Sequence, residues 1–180
     1  MTAADPTTPR VWIACLACYS DGRLVGDWFD AEVAADVTLD EIHAEFGSVR
    51  MGCEEVWCFD AEYLLTNTEM SPAEAQRQAE LLAQVDGHLR QAFRAFVALG
   101  DYAADGDGLP DVSEFEDRYC GEWPSFRDYS DELVDDTGML REIPESVVRY
   151  FDYAGFARDL EMEHSTAPTS DFGVYVFRDQ

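Results

Sequence analysis

A glycine-rich acidic turn in the second half of the chain carries some of the residues that bind calcium in proteins. Residues 105–111 are Asp-Gly-Asp-Gly-Leu-Pro-Asp, and Glu114 follows at the distance of the last ligand in an EF-hand loop. Ala103 stands at the first ligand position, however, and its side chain has no oxygen. The pattern leaves open a calcium loop and an ordinary turn between helices, and it favours the turn. The calcium alternative would use Asp105, Asp107, Asp111 and Glu114.

Five cysteines form a second group of residues that could bind a metal. The spacings Cys15-x-x-Cys18 and Cys53-x4-Cys58 could in principle supply four thiolates to zinc. The apolar run of residues 11–19 predicts a β-strand, however, and side chains three residues apart on a strand point to opposite faces. We therefore expect the cysteines to be small buried side chains without a metal.

The start of the chain predicts no export signal. A short segment containing Asp5 precedes Arg10, and it lacks the positive charge and the long apolar region of a secretory leader. No stretch of the sequence is apolar for long enough to span a membrane. We expect a cytoplasmic protein with reduced thiols and no membrane contact.

The histidines and acidic residues do not form a recognisable catalytic pattern. The three histidines are His43, His88 and His164, and the sequence has no nucleophile elbow, phosphate loop or HExxH motif. Pairs of acids occur throughout, so their proximity says nothing about acid–base catalysis. We expect no catalytic residue, no cofactor and no enzymatic activity.

The charge of the chain is strongly negative and evenly distributed. The chain has 38 acidic and 12 basic residues, all of the latter arginine, and a net charge of −26. Acids and arginines number 12 and 3 in residues 1–60, 12 and 4 in residues 61–120, and 14 and 5 in residues 121–180. Without a basic patch, the chain should repel nucleic acid and attract proteins with basic clefts.

The number of carboxylates is sufficient to imitate DNA. A duplex carries one charge per roughly 1.7 Å, so these carboxylates correspond to about 65 Å, or about 19 base pairs. Solubility or adaptation to high salt would explain the same composition, and composition alone favours these ordinary causes.

The hydrophobic pattern predicts an α+β fold in an elongated chain of three small modules without a single large core. These are an N-terminal α+β module (residues 1–63), a helical middle module (64–104) and a C-terminal α+β module (105–180). Strands are predicted at 11–19, 24–30, 56–63 and 172–177, the first two as a hairpin. Helices are predicted to begin after Thr38, Ser71, Asp86, Asp111, Ser125, Pro144 and Asp152, mostly from their capping residues.

Several stretches, in order, resemble the ArdA antirestriction family over about residues 11–178. The first is residues 14–19 (Ala-Cys-Leu-Ala-Cys-Tyr), and the second runs from 115 to 122. The most specific is Ile143-Pro144-Glu145 with residues 149–153 and 156–160, which resembles the antirestriction motif of the family. The closing stretch, 173–177, also fits.

The resemblance implies a homodimer that mimics bent B-form DNA and binds the DNA-recognition and methyltransferase core of type I restriction-modification enzymes. It implies inhibition of restriction and often of modification, and genes carried on mobile genetic elements. We expect Tyr150, Phe151, Tyr153, Phe156 and Leu160 to make core or dimer contacts. The acidic residues that we expect to contact the enzyme are Asp117, Glu122, Asp128, Asp131, Glu132, Asp135, Asp136, Glu142, Glu145, Asp152, Asp159 and Glu161.

One alternative function remains at this stage. A calcium-responsive binding module on a salt-adapted acidic scaffold would also explain the acidity and the turn at 105–111. Calcium titration followed by thermal unfolding distinguishes the two functions.

Overall fold

The computed structural model describes residues 8–106 and 108–180. The chain divides into two units, Met1–Arg90 and Gln91–Gln180. Each unit contains a three-stranded antiparallel sheet with helices around it. The predicted α+β fold class is therefore confirmed.

The first unit has a sheet in the order β2-β1-β3, with the most apolar strand in the centre. Val11, Ile13 and Ala14 of β1 are completely buried, as expected for a central strand. The predicted antiparallel pairing of the first two strands is confirmed, although a helix lies in the connection between them. The elements are β1 (Arg10–Cys15), α1 (Leu16–Ser20), β2 (Gly26–Asp30), a 3₁₀ helix (Ala31–Asp36), α2 (Leu39–His43), β3 (Val56–Glu62), α3 (Pro72–Ala83) and a 3₁₀ helix (Gly87–Leu89).

The first strand ends earlier than the sequence predicts. A strand was expected over residues 11–19, but β1 ends at Cys15 and α1 follows directly. The amide of Leu16 donates to the Glu55 carbonyl at 3.0 Å. At the end of α1, the amide of Asp21 donates to the Ala17 carbonyl at 3.1 Å. An apolar run without a clear period fits a strand or a buried helix equally well, so only contacts distant in sequence decide between them.

Predicted capping residues begin α2 and α3. Thr38 accepts from the amide of Glu41, and the Glu41 carboxylate accepts from the amide of Thr38 at 2.8 Å, which completes a capping box. Hydrogen bonding to Thr38 lowers the pKa of Glu41. Ser71 accepts from the amide of Glu74 at 3.2 Å, with Pro72 as the first helical residue.

The second unit places β6 between β4 and β5. Phe93 and Phe96 of the first helix pack with Phe115 and Phe177, all four rings being essentially inaccessible to solvent. The elements are α4 (Arg90–Leu99), α5 (Val112–Arg118), β4 (Tyr119–Trp123), α6 (Phe126–Asp136), α7 (Glu145–Val148), α8 (Tyr153–Leu160), a 3₁₀ helix (Glu161–Glu163), β5 (His164–Pro168) and β6 (Val174–Arg178).

Sequence patterns identified the central strand of this sheet but not its edges. The strand predicted at 172–177 is β6, whereas β4 and β5 were not predicted. His164, which lies outside every predicted strand, is on β5, with Nδ1 2.9 Å from the Leu160 carbonyl oxygen. Edge strands tolerate polar residues and proline, so their sequences lack a clear apolar alternation.

The predicted division into three modules is not confirmed. Helix α3 packs against β3 and the Ala31–Asp36 helix in the first unit, whereas α4 contributes phenylalanines to the core of the second. Within the described residues, no helix is both long and apolar enough to cross a bilayer.

Candidate functional site

Helix α6 presents a row of carboxylates along one face. Its N-terminus is capped by Ser125, which accepts from the amide of Asp128 at 3.2 Å. Tyr129, Ser130 and Val134 bury the opposite face. Residues spaced by three and four positions share one side of a helix. The acids with this spacing are Asp128, Asp131, Glu132, Asp135 and Asp136, exposed except for the half-buried Asp131.

The charge density of this face approaches that of DNA. From Asp128 to Asp136 the helix rises about 12 Å, at roughly 1.5 Å per residue. A duplex of that length carries about seven phosphate charges, and the helix carries five carboxylates. One cation offsets them locally, because Arg127 Nε lies 2.7 Å from Asp131 Oδ1.

The remaining acids of the expected set are exposed and lie in the second unit. Asp117 is on α5, Glu122 on β4, and Glu142 in the turn after α6. Glu145 begins α7, and Asp152 caps α8 by accepting from the Gly155 amide at 2.9 Å. Asp159 and Glu161 lie at the end of α8 and just beyond it. Helices α6 and α8 pack against each other, so Asp152 and Asp159 lie on an element that contacts the acidic helix α6.

The aromatic residues beside these acids divide into packed and exposed rings. Phe151 packs edge-on against Tyr153 at 4.7 Å between centroids and lies 5.8 Å from Phe156. Tyr150 is 80% exposed instead. It lines a shallow apolar hollow, called the apolar patch below, that also includes Leu140, Ile143, Val147, Val148 and Phe151.

The described acids in and beside the glycine-rich turn accept hydrogen bonds from nearby backbone amides. Asp105 Oδ1 accepts from the Leu109 amide at 2.9 Å. Asp111 caps α5 by accepting from the Ser113 amide at 2.8 Å, and this hydrogen bond lowers the pKa of Asp111. Glu114 accepts from the Ala103 amide at 3.0 Å. Asp107, the fourth residue of the calcium alternative, lies outside the described residues.

Four side chains of types that bind metals lie close together in the first unit. They differ from the four cysteines considered in the sequence, because His43 stands in the place of Cys58. The ligand atoms of Cys15, Cys18, His43 and Cys53 all lie within 4.8 Å of one another. Cys15 and Cys18 were expected on opposite faces of a strand. That expectation is wrong, because the chain enters α1 after Cys15.

The electrostatics of these thiols differ with their exposure. Burial raises the pKa of Cys18 to about 11, and the Cys15 thiol adds to the rise. Hydrogen bonding from Cys15 lowers the pKa of the more exposed Cys53. Cys58, the fourth thiol considered in the sequence, is buried on β3, and burial raises its pKa to about 12. His43 shares no recognisable metal-binding spacing with the cysteines, so the sequence did not predict it as a ligand.

A family model described as "Antirestriction protein (ArdA)" matches residues 11–174 of the chain. The chain belongs to the ArdA antirestriction family. The match spans both units and contains the acidic face of α6, the apolar patch and the cysteine–histidine cluster. Membership of the ArdA family implies an antirestriction function. A search of curated proteins gives no significant match.

Proposed function

We propose that this ArdA protein is a DNA mimic that occupies the DNA-binding cleft of type I restriction-modification enzymes and thereby inhibits restriction. The observation that supports the proposal most directly is the acidic face of α6, with five carboxylates over about 12 Å of rigid helix. Family membership supplies the antirestriction function, and the charge supplies a physical mechanism for it.

Inhibition follows from competition for a basic surface. An enzyme that holds the DNA backbone with lysine and arginine is attracted to phosphates largely without regard to sequence. Carboxylates on a helix supply negative charge to the same cleft but offer neither bases nor a scissile bond. One such surface can therefore inhibit enzymes that recognise different DNA sequences, and it needs no catalytic residue or cofactor.

Homodimerisation is part of the proposal. The apolar patch contains Ile143, Val147 and Tyr150, which are 41%, 53% and 80% exposed. Soluble proteins seldom expose contiguous apolar patches larger than a few hundred Å² without a partner. We assign the patch to a second copy of this chain, since a twofold interface buries the same surface on both protomers and a dimer doubles the acidic surface available to the enzyme.

A DNA-cleavage assay tests the function. Increasing amounts of the protein are added to a purified type I enzyme with a circular substrate, and a labelled duplex reports DNA binding in parallel. We expect cleavage to fall and the apparent Kd for DNA to rise together. Methylation measured with the same enzyme determines whether modification is blocked as well. Full cleavage at several-fold molar excess, with two or more type I enzymes, would contradict the proposal.

Salt provides an independent readout of the mechanism. The Debye length falls from about 10 Å at 0.1 M salt to about 3 Å at 1 M, so a complex held by opposite charges should weaken steeply over this range. Affinity for the enzyme that is independent of salt would indicate a contact other than DNA mimicry.

A further inference from the structure

The cysteine–histidine cluster of the first unit unites four segments of the chain. Cys15 is the last residue of β1, Cys18 lies on α1, His43 is the last residue of α2, and Cys53 lies in the loop before β3. Cys15, Cys18 and His43 are at most 2% exposed, whereas Cys53 is half-buried. The cluster is therefore a closed site with one edge near the surface.

Hydrogen bonds of the backbone hold these four residues in place, rather than contacts between their side chains. The Cys15 amide donates to the Val25 carbonyl at 3.0 Å, and the Leu16 amide donates to the Glu55 carbonyl at 3.0 Å. The second contact holds the loop of Cys53 against the start of α1. The Cys53 amide donates to the Arg50 carbonyl at 3.0 Å in a turn that requires a left-handed residue, and Gly52 supplies it with φ +97°.

Two distances between the ligand atoms are close to those of a tetrahedral zinc site. Cys18 Sγ lies 3.8 Å from Cys53 Sγ and 4.0 Å from His43 Nε2. With Zn–S near 2.3 Å and Zn–N near 2.0 Å, a tetrahedron places two sulfurs about 3.8 Å apart and sulfur about 3.5 Å from nitrogen. A disulfide would bring two sulfurs to about 2.0 Å. The cysteines are free thiols in this structure.

Hydrogen bonding alone explains the cluster poorly. A buried imidazole normally has a strong partner, yet the His43 ring faces the Cys18 sulfur, a weak donor and weak acceptor, at 4.0 Å. Three thiols and an imidazole whose ligand atoms lie this close together form one of the usual ligand sets of structural zinc.

We propose that Cys15, Cys18, His43 and Cys53 bind one Zn²⁺ as a structural site. On binding, each of the three thiols releases a proton to solvent and forms a Zn–S bond, and neutral His43 binds through Nε2. The bound site carries one net negative charge. Arg23 Nη1, 3.9 Å from Cys18 Sγ, partly offsets it. With four protein ligands the site has no open position for a substrate, so the metal ties β1, α1, α2 and the loop of Cys53 together.

Metal analysis and cobalt substitution test the proposal on the full-length protein. The protein is purified under reducing conditions, its zinc content is measured, and the metal-free form is titrated with Co²⁺ and then Zn²⁺. We expect one equivalent of zinc per chain, and intense visible and thiolate charge-transfer bands of tetrahedral cobalt that zinc abolishes. We also expect a chelator to lower the Tm.

Variants assign the ligands. Because Cys53 is the least buried ligand, Cys53→Ser should fold, and it should bind zinc at least about 100-fold more weakly, since even supporting residues affect metal affinity by about 10–100-fold. Cys58→Ser removes a buried thiol outside the cluster and should retain one equivalent of zinc.

Three outcomes would overturn the proposal. The first is a zinc content well below one equivalent in protein whose five thiols all titrate as free. The second is a disulfide within the cluster that persists under mild reduction. The third is an equal loss of zinc in Cys53→Ser and Cys58→Ser. None of these measurements involves a restriction enzyme. The zinc site and the antirestriction mechanism can therefore fail independently.

Discussion

In helix α5, Arg118 Nη1 lies 3.2 Å from Glu114 Oε1, one turn earlier in the helix. The Arg118 side chain is only 7% exposed. Its Nε donates to the Arg178 carbonyl at 2.7 Å, and its Nη2 lies 3.0 Å from Asp101 Oδ2. Its guanidinium also lies 5.1 Å from the centre of the Phe96 ring. One arginine among the 12 thus joins α5 to the last strand of the second unit.

We predict that Arg118→Met strongly destabilises the second unit. Removal of Arg118 leaves the Glu114 carboxylate, whose side chain is only 11% exposed, without its cation, and breaking a buried pair in this way typically costs about 3–5 kcal/mol. Urea unfolding measures the difference. Arg127→Met is the matched control, because Arg127 pairs with Asp131 at the same helical spacing but on the surface. An exposed pair contributes less than about 1 kcal/mol. Equal effects of the two substitutions would contradict the importance of burial.

The same ion pair predicts that calcium leaves the protein unchanged. Glu114 would have to supply the last ligand of a calcium loop, but it already accepts from Arg118 and from the Ala103 amide. We expect no stoichiometric heat of binding and the same Tm with calcium as with magnesium at equal ionic strength. A saturable shift specific to calcium would instead support the calcium-responsive module.

Neutralising part of the α6 face should weaken inhibition while preserving the fold. Glu132→Gln, Asp135→Asn and Asp136→Asn in combination are expected to reduce inhibitory potency about tenfold, at roughly 0.5 kcal/mol per exposed charge. Each change alone should have little effect, because the field of the face is collective. Potency is measured as the concentration for half-inhibition of DNA cleavage.

The control for this set removes the same charge from the first unit. Glu45→Gln, Glu54→Gln and Glu62→Gln alter three exposed acids and leave α6 intact. A smaller loss than in the α6 variant supports a specific role of that helix. Unchanged potency in the α6 variant would exclude its acidic face from the enzyme contact.

A charge within the apolar patch should separate the proposed dimer. Val147 is 53% exposed, so Val147→Glu should not disturb the fold of one chain, but it would place like charges on both sides of a twofold interface. Light scattering over a range of concentrations should change from dimer to monomer mass. Val33→Glu is the control, because Val33 is 51% exposed in the first unit. A dimer that tolerates Val147→Glu must use another surface.

Local sequence was sufficient for the features that depend on neighbouring residues. The capping box at Thr38, the caps at Ser71 and Ser125 and the alternation that identifies β6 involve atoms only a few positions apart. Spacing alone likewise places the α6 acids on one face. The even negative charge and the ordered motifs were also visible in the sequence, and the motifs correctly identified the ArdA family.

Contacts distant in sequence decided the rest. After Cys15 the chain turns into a helix instead of continuing as a strand. This change depends on backbone contacts with Val25 and Glu55, which lie outside the short stretch of sequence around Cys15. The change of direction brings Cys15, Cys18, Cys53 and the unanticipated His43 together. Burial similarly separates Arg118 from Arg127, although each has an acid at helical spacing. Sequence therefore determines residue types, charge and local hydrogen bonds, whereas only tertiary packing determines which side chains meet and which lose contact with water.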